Sequence, residues 1–193
     1  MSINLVLAST SPFRAQLLTR LGLPFETDSP AVDESRLPDE AAEALVQRLA
    51  RAKAEAVAGR HPDSLIIGSD QVAVIDGEIL GKPGERERAI AQLQRASGKV
   101  VTFFTGLCLY NSRSGRSQVV CEPFRVHFRE LDTHQITRYI DREQPLNCAG
   151  SFKSEGLGIT LFRRLEGDDP NALIGLPLIR LTELLYNEGV FLP

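Results

Sequence analysis

The sequence predicts an α/β fold built on a mixed sheet. Two observations carry this. Strand-like and helix-like stretches alternate through the first half, the pattern of parallel βαβ units. In the second half, residues 99–110 and 118–128 read as two long strands around a turn at 111–115. Such a hairpin is antiparallel, which favours a mixed sheet over an all-parallel one. A chain of 193 residues, 42% hydrophobic and 24% charged, is long enough to bury a core and fits one domain, 1–193.

The elements follow in order. Residues 3–8 are apolar apart from Asn4 and predict a first strand. The hydroxyl-rich turn Ser9-Thr10-Ser11 leads into a helix whose first turn holds Pro12, where the missing N–H costs nothing. Residues 23–29 read as a return strand. Ala42, Leu45, Val46, Leu49, Ala52 and Ala56 repeat at helical spacing, with Asp39 as the expected N-cap and Gly59 as the end. Residues 64–75 are β-rich and apolar at successive positions, which predicts a buried central strand. Asp76-Gly77 is a hairpin turn into a short strand, 78–80. A helix is expected over 85–96, and another to about Glu143 capped by Asp132 or Thr133. Residues 147–158 form a glycine-bearing loop, 159–165 a strand and 176–187 a closing helix.

The strand–turn–helix at Ser9–Arg14 gathers two hydroxyls, an arginine and the positive end of a helix dipole, a suitable setting for a polyphosphate. The hydroxyls alone read more simply as helix caps. Asp70 interrupts an otherwise apolar strand, and a carboxylate is rarely buried without a partner. It suits a rigidly aimed acid that holds a divalent metal or orients a water; the simpler alternative is a strand-end Asp bonding loop amides. Glu34, in the loop 32–35, is a second acid that on its own reads as solvated. Lys53 lies within a helix, where most lysines face solvent, and Lys82 lies in the turn Gly81-Lys82-Pro83. Arg14, Lys53 and Lys82 together would neutralise a triphosphate. Asp168-Asp169-Pro170 reads as a turn or helix cap.

Other chemistry is absent. His61, His127 and His134 have no metal-ligand spacing with each other or with cysteine. No GxSxG, GxxxxGK[ST] or GxGxxG occurs. Cys108, Cys121 and Cys148 are odd in number and widely spaced, so they read as buried thiols in a reducing compartment. A net charge of −3 supplies no global field for nucleic acid. With no signal peptide and no membrane-length apolar run, a cytoplasmic location is expected, with no stable nucleic-acid or membrane partner.

Assembled, these stretches resemble the Maf family of nucleoside triphosphate pyrophosphatases. The matching pieces are Leu7–Arg14, Asp33-Glu34, the Lys53 helix, Ser69-Asp70-Gln71-Val72, Gly81-Lys82-Pro83, Thr105-Gly106, Cys148-Ala149-Gly150 and Gly175-Leu176-Pro177, in order along the chain. The resemblance implies an α/β fold with two lobes around a cleft, similar to the inosine triphosphate pyrophosphatase architecture. It also implies metal-dependent release of diphosphate from a nucleoside triphosphate. By the resemblance Asp70 is the proton acceptor and Glu34 the second acid, the two holding Mg²⁺ or Mn²⁺. Ser9, Ser11, Arg14, Lys53 and Lys82 are its phosphate-handling positions, and a homodimer is compatible with it. Phe13, Gln71 and Glu155 resemble the branch that hydrolyses 7-methyl-GTP rather than dTTP or UTP. The chemistry agrees: an aromatic face attracts a cationic 7-methylguanine, and a carboxylate can accept from its N1–H and N2 amino group. Apart from the resemblance, Phe13 reads as core packing and Glu155 as a solvated loop acid. A broader range over damaged nucleotides, or a nucleotide-binding role in septum formation, are the alternatives.

Overall fold

A computed structural model describes residues 4–193. Ile3, expected to open the first strand, lies outside the described residues. The element order is β1 (Asn4–Ala8), α1 (Pro12–Thr19), β2 (Glu26–Asp28), α2 (Ala42–Ala58), β3 (Ser64–Ile75), β4 (Glu78–Leu80), α3 (Arg86–Ala96) and β5 (Val100–Asn111). It continues with β6 (Arg116–Phe128), α4 (Thr133–Glu143), β7 (Phe162–Glu166), α5 (Pro170–Ile174) and α6 (Leu178–Asn187). Two 3₁₀ turns, Ala149–Ser151 and Leu157–Leu161, precede β7.

The described strands form one seven-stranded sheet, ordered β2-β1-β3-β5-β6-β7, with β4 paired to β3. β1 runs parallel to β2 and β3, while β4 is antiparallel to β3 and β7 to β6, so the sheet is mixed, as expected. The chain divides into two compact units. The first holds the residues up to Asp70, Thr105–Glu122 and Asp169–Pro193; the second holds Gln71–Phe104 and Pro123–Asp168. β3, β5 and β6 each continue from one unit into the other. No described helix is long and apolar enough to cross a membrane.

In the first unit, the two-residue period of the strands sorts side chains between two helical layers. Leu5 and Leu7 of β1, Leu65 and Ile67 of β3, and Leu107 and Leu109 of β5 pack with Leu17 and Leu18 of α1 and with Leu178, Leu181, Leu184 and Leu185 of α6. The alternate positions Val6, Ala8, Ile66 and Cys108 pack with Ala50, Ala54 and Val57 of α2. α1 has only eight residues, below the ~12 at which an isolated helix is marginal, so burial of its two leucines sustains it.

Two glycines let α2 come unusually close. A Cβ on Gly68 of β3 would lie 2.0 Å from the Ala50 carbonyl oxygen, and one on Gly106 of β5 would lie 2.1 Å from that of Val46. No side chain fits either space. The helix backbone therefore rests directly on two adjacent strands.

The second unit packs around aromatic rings. Phe152 meets Phe103, Phe128 and Phe162 edge to face, with centroids 5.3, 5.6 and 4.8 Å away. α4 opens with a full capping box between Asp132 and Gln135.

Several boundaries differ from expectation. Asp39 does not cap α2: it sits in a turn at φ 54°, and Ala41 is the N-cap with no side-chain bond. The return strand is only Glu26–Asp28, because only these residues pair with β1. The strand expected from Ile159 begins at Phe162, after a 3₁₀ turn that uses 157–161. The closing helix begins at Leu178, because Pro177 occupies its N-cap. The short helix α5 was not foreseen, although Asp169 does cap it through the Asn171 N–H. Cys121 and Cys148 are only half-buried, unlike Cys108.

Gly106→Ala is expected to lower stability by about 3 kcal/mol, the upper end of overpacking costs. Gly59→Ala, with nothing within 4 Å of its added Cβ, is expected to stay within about 0.5 kcal/mol of the parent. Urea denaturation midpoints of the two variants check this.

Candidate active site

The site in the first unit grows from the same close contact. Ile66, Gly68 and Asp70 are alternate residues of β3 on the side that meets α2. One turn along α2 from Ala50, Lys53 continues the buried helix face and meets Asp70, with Nζ 2.6 Å from Asp70 Oδ1. Lys53 is 6% exposed and Asp70 8% exposed. The same ammonium lies 2.7 Å from Glu34 Oε1. The lysine thus bridges two carboxylates from separate segments of chain. It does not face solvent, as most helical lysines do.

The segment carrying Glu34 is held by α2. Arg48 grips Glu40 with both arms of its guanidinium, Nε donating at 2.6 Å and Nη2 at 2.8 Å, and Nη2 also donates to the Ser35 carbonyl at 3.0 Å. Glu40 in turn accepts from the Leu37 N–H, and Asp33 accepts from the Ser35 N–H. The Arg48 bond holds the Glu40 carboxyl down to about 2. Neither Arg48 nor Glu40 was singled out from sequence. Their spacing across a polar loop carries no pattern that marks it.

The turn before α1 is the other wall. Ser9 Oγ accepts from the Ser11 N–H at 3.1 Å, and Ser11 Oγ accepts from the Arg14 N–H at 3.4 Å as the N-cap of α1. Each hydroxyl therefore does serve as a cap. Each also keeps its own O–H to donate, so capping and anion binding coexist. Arg14 Nε donates to the Gly175 carbonyl at 2.8 Å, and Ser69 Oγ donates to the same oxygen at 2.9 Å. Burial pulls the Arg14 guanidinium below its usual range, opposed by the charges of Asp70 and Glu34. Gly175 has φ 126° and lies against the Arg14 side chain, a backbone setting that favours glycine.

The structure thus brings Ser9, Ser11, Arg14, Lys53, Asp70 and Glu34 into one unit, linked through direct bonds and mutual charge. Phe13 belongs to this unit too and is 36% exposed on α1. Lys82, Gln71 and Glu155 belong to the second unit. Lys82 is exposed between β4 and α3, Gln71 is half-buried in β3, and Glu155 is exposed in the turn before Leu157–Leu161. Ser69 and Gly175 were seen in sequence only as parts of longer motifs; the Gly175 carbonyl, which accepts from both Ser69 and Arg14, gives them a physical role.

Among the described residues, no group of three or more His, Cys, Asp and Glu side chains could hold a metal ion. Asp70 and Glu34 are a two-carboxylate set. That suits Mg²⁺, which takes one or two protein carboxylates together with substrate phosphates, and does not suit a protein-only cage.

Two basic side chains and two acids thus stand around a hydroxyl-lined turn on an α/β fold. A family model described as Maf-like protein matches residues 4–188, and the chain belongs to the Maf family. A relative from Alcanivorax borkumensis, named 7-methyl-GTP pyrophosphatase, is 67% identical over 98% of this chain and 96% of its own. One of the same name from Pseudomonas aeruginosa is 63% identical over 98% and 99%. Among solved structures, that of the Staphylococcus aureus Ham1 protein is similar in fold, with a TM-score of 0.53 and 14% identity over 96% of this chain and 99% of that one.

A carboxyl held low contributes stability that is complete above the unfolded glutamate value, about 4.3, and is lost as pH falls toward its folded value of about 2. Glu40→Gln removes that contribution. The variant is expected to be less stable than the parent at pH 6, with the gap narrowing below about pH 4. Denaturation midpoints across this range test it.

Proposed function

We propose that this protein hydrolyses a nucleoside triphosphate to its monophosphate and diphosphate, with 7-methyl-GTP as the preferred substrate. The observation that carries the chemistry is the Lys53 ammonium held between Asp70 and Glu34 beside the Ser9–Arg14 turn. The names of the 67% and 63% identical relatives support the substrate.

Water must be activated and aimed at the α-phosphorus, and the leaving diphosphate must be neutralised. Asp70 sits on a central strand, fixed by Lys53, and accepts the proton of the attacking water. Lys53, Arg14 and the two hydroxyls bind phosphate oxygens. Lys82 is assigned a further phosphate contact on the strength of the family motif. Asp70, Glu34, Lys53 and Arg14 carry formal charges that sum to zero, so the set alone leaves a triphosphate's charge unopposed. A divalent cation, Mg²⁺ or Mn²⁺, held by Asp70 and Glu34 together with the substrate's phosphates, would supply that charge.

Base choice rests on three side chains. Phe13 offers an exposed aromatic face for the positively charged ring of 7-methylguanine. Glu155 offers an exposed carboxylate, which can accept two hydrogen bonds from the N1–H and N2 edge. Gln71 follows Asp70 directly and is assigned to the same selection.

The test is diphosphate release from 7-methyl-GTP, GTP, dTTP, UTP and ITP with Mg²⁺ or Mn²⁺. Selective turnover of 7-methyl-GTP is expected, reduced at least about 10²-fold in Asp70→Asn, the lower end for a general base. Preference for dTTP or UTP would overturn the substrate. Near-parental turnover by Asp70→Asn at saturating substrate would overturn its role as base. Nucleotide binding with no turnover would favour the regulatory alternative.

A further inference from the structure

A cationic pocket lies wholly within the second unit, between α4 and the 3₁₀ turn Leu157–Leu161. It has a volume of about 280 Å³ and is lined by Arg129, Arg138 and Arg142, with Tyr139, Leu157 and Leu161 among its apolar residues. The lining contains no carboxylate. Gln135, Arg138 and Arg142 follow one another at three- and four-residue spacing, so they share a face of α4.

Most arginines in this chain are neutralised. Arg48 pairs with Glu40, Arg86 with Asp141, Arg116 with Glu188 and Arg180 with Glu122. Among the described residues, four arginines have neither an ion pair nor a side-chain hydrogen bond: Arg129, Arg138, Arg142 and Arg163. Three of the four line this one pocket. Of the acids near it, the Glu130 carboxylate lies against Gly98, and the others are engaged. Asp132 caps α4, and Asp141 is taken by Arg86. Glu143 accepts from the Leu157 N–H at 2.7 Å and lies 3.5 Å from the Lys153 ammonium. Arg138 and Arg142 are also a like-charged i,i+4 pair, an arrangement that weakens a helix unless an anion sits between the two.

We propose that this pocket binds a small phosphorylated ligand: a phosphomonoester whose phosphate is held by Arg129, Arg138 and Arg142 and whose planar or apolar body rests on Tyr139, Leu157 and Leu161. Guanidinium forks match phosphate oxygens in pairs, which favours this class over a bulky or uncharged one. The volume lies at the small end of the ~300–1,000 Å³ typical of ligand pockets, so the body is one ring system rather than a dinucleotide. The walls are fixed in place. The Tyr139 hydroxyl accepts from the Lys153 N–H at 3.0 Å, and the Arg129 N–H donates to the Leu161 carbonyl at 2.9 Å. This site does not depend on the proposed hydrolysis, since none of its residues belongs to the Ser9–Asp70 set.

The experiment titrates 1-naphthyl phosphate, and separately inorganic phosphate, into the ¹⁵N-labelled full chain and into R138Q/R142Q. Saturable amide shifts are expected at residues 135–142 and 157–161. Affinity should fall at least about tenfold in the double variant, about 1.4 kcal/mol, while that variant melts no lower than the parent and keeps its diphosphate release. Naphthyl phosphate should bind at least about tenfold more tightly than phosphate, the margin one well-buried ring supplies. Absence of saturable shifts in this region, or unchanged affinity in R138Q/R142Q, would overturn the site. Equal binding of the two probes would overturn the assigned ligand class.

Discussion

The approach of α2 to the sheet is the constraint on which the first unit depends. A helix carrying ordinary side chains packs on a sheet at roughly 10 Å. Here Gly68 and Gly106 remove the side chains that would enforce such a gap, and the backbone carbonyls of Ala50 and Val46 sit against the strands. Asp70 is two residues beyond Gly68, and Lys53 is one turn beyond Ala50. The closeness that excludes a Cβ at one end thus brings an ammonium to 2.6 Å from a carboxylate at the other. Thr105-Gly106 and Ser69-Asp70 can therefore be read as one device, a smooth strand surface followed by a charged one.

Burying these charges is costly. Desolvating an ion costs several kcal/mol even after relaxation, and a single buried pair often does no better than break even. Lys53 has two acidic partners, and Glu34 stays largely exposed, with 59% of its side chain open. An arrangement that places two acids on one lysine, one sheltered and one wet, is poorly explained by stability alone. It is better suited to a ligand that rearranges the pairing, as a metal-bound polyphosphate would when it competes for the carboxylates. The cap hydroxyls show the same economy: Ser9 and Ser11 satisfy the start of α1 and still have protons to donate.

Much of this was legible in the sequence. The alternation of strand and helix, the hairpin of β5 and β6, and the buried central strand β3 follow from period and apolar run length, which are local signals. The failures are also local in kind. The start of α2 was misplaced because Asp39 is a good cap residue that the chain uses in a turn instead. The strand before α5 began late because residues 157–161 have apolar β-like composition but fold into a 3₁₀ turn. Within the site, Asp70 stood out because a carboxylate in an apolar strand is anomalous. Lys53 did not, although Val46, Leu49, Ala50 and Val57 already trace the buried face on which it lies. Arg48, Glu40 and the Gly175 carbonyl could not be foreseen, since they act through contacts between segments distant in sequence.

Net charge was a poor guide to where this protein attracts anions. At −3 it supplies no global field for nucleic acid. It says nothing about how charges are paired, and pairing is what separates a solvated surface from a binding surface. Arg48, Arg86, Arg116 and Arg180 are each neutralised by a carboxylate. Cationic character survives only where acids are absent, already engaged or outnumbered. At α4, Asp132 and Asp141 are engaged elsewhere, leaving Arg138 and Arg142 without an ion-pair partner. At α1, Arg14 uses its Nε on a backbone carbonyl and meets Asp70 and Glu34 only through space. An acidic protein can thus keep a local cationic surplus, because local charge is set by what remains after pairing and not by the total.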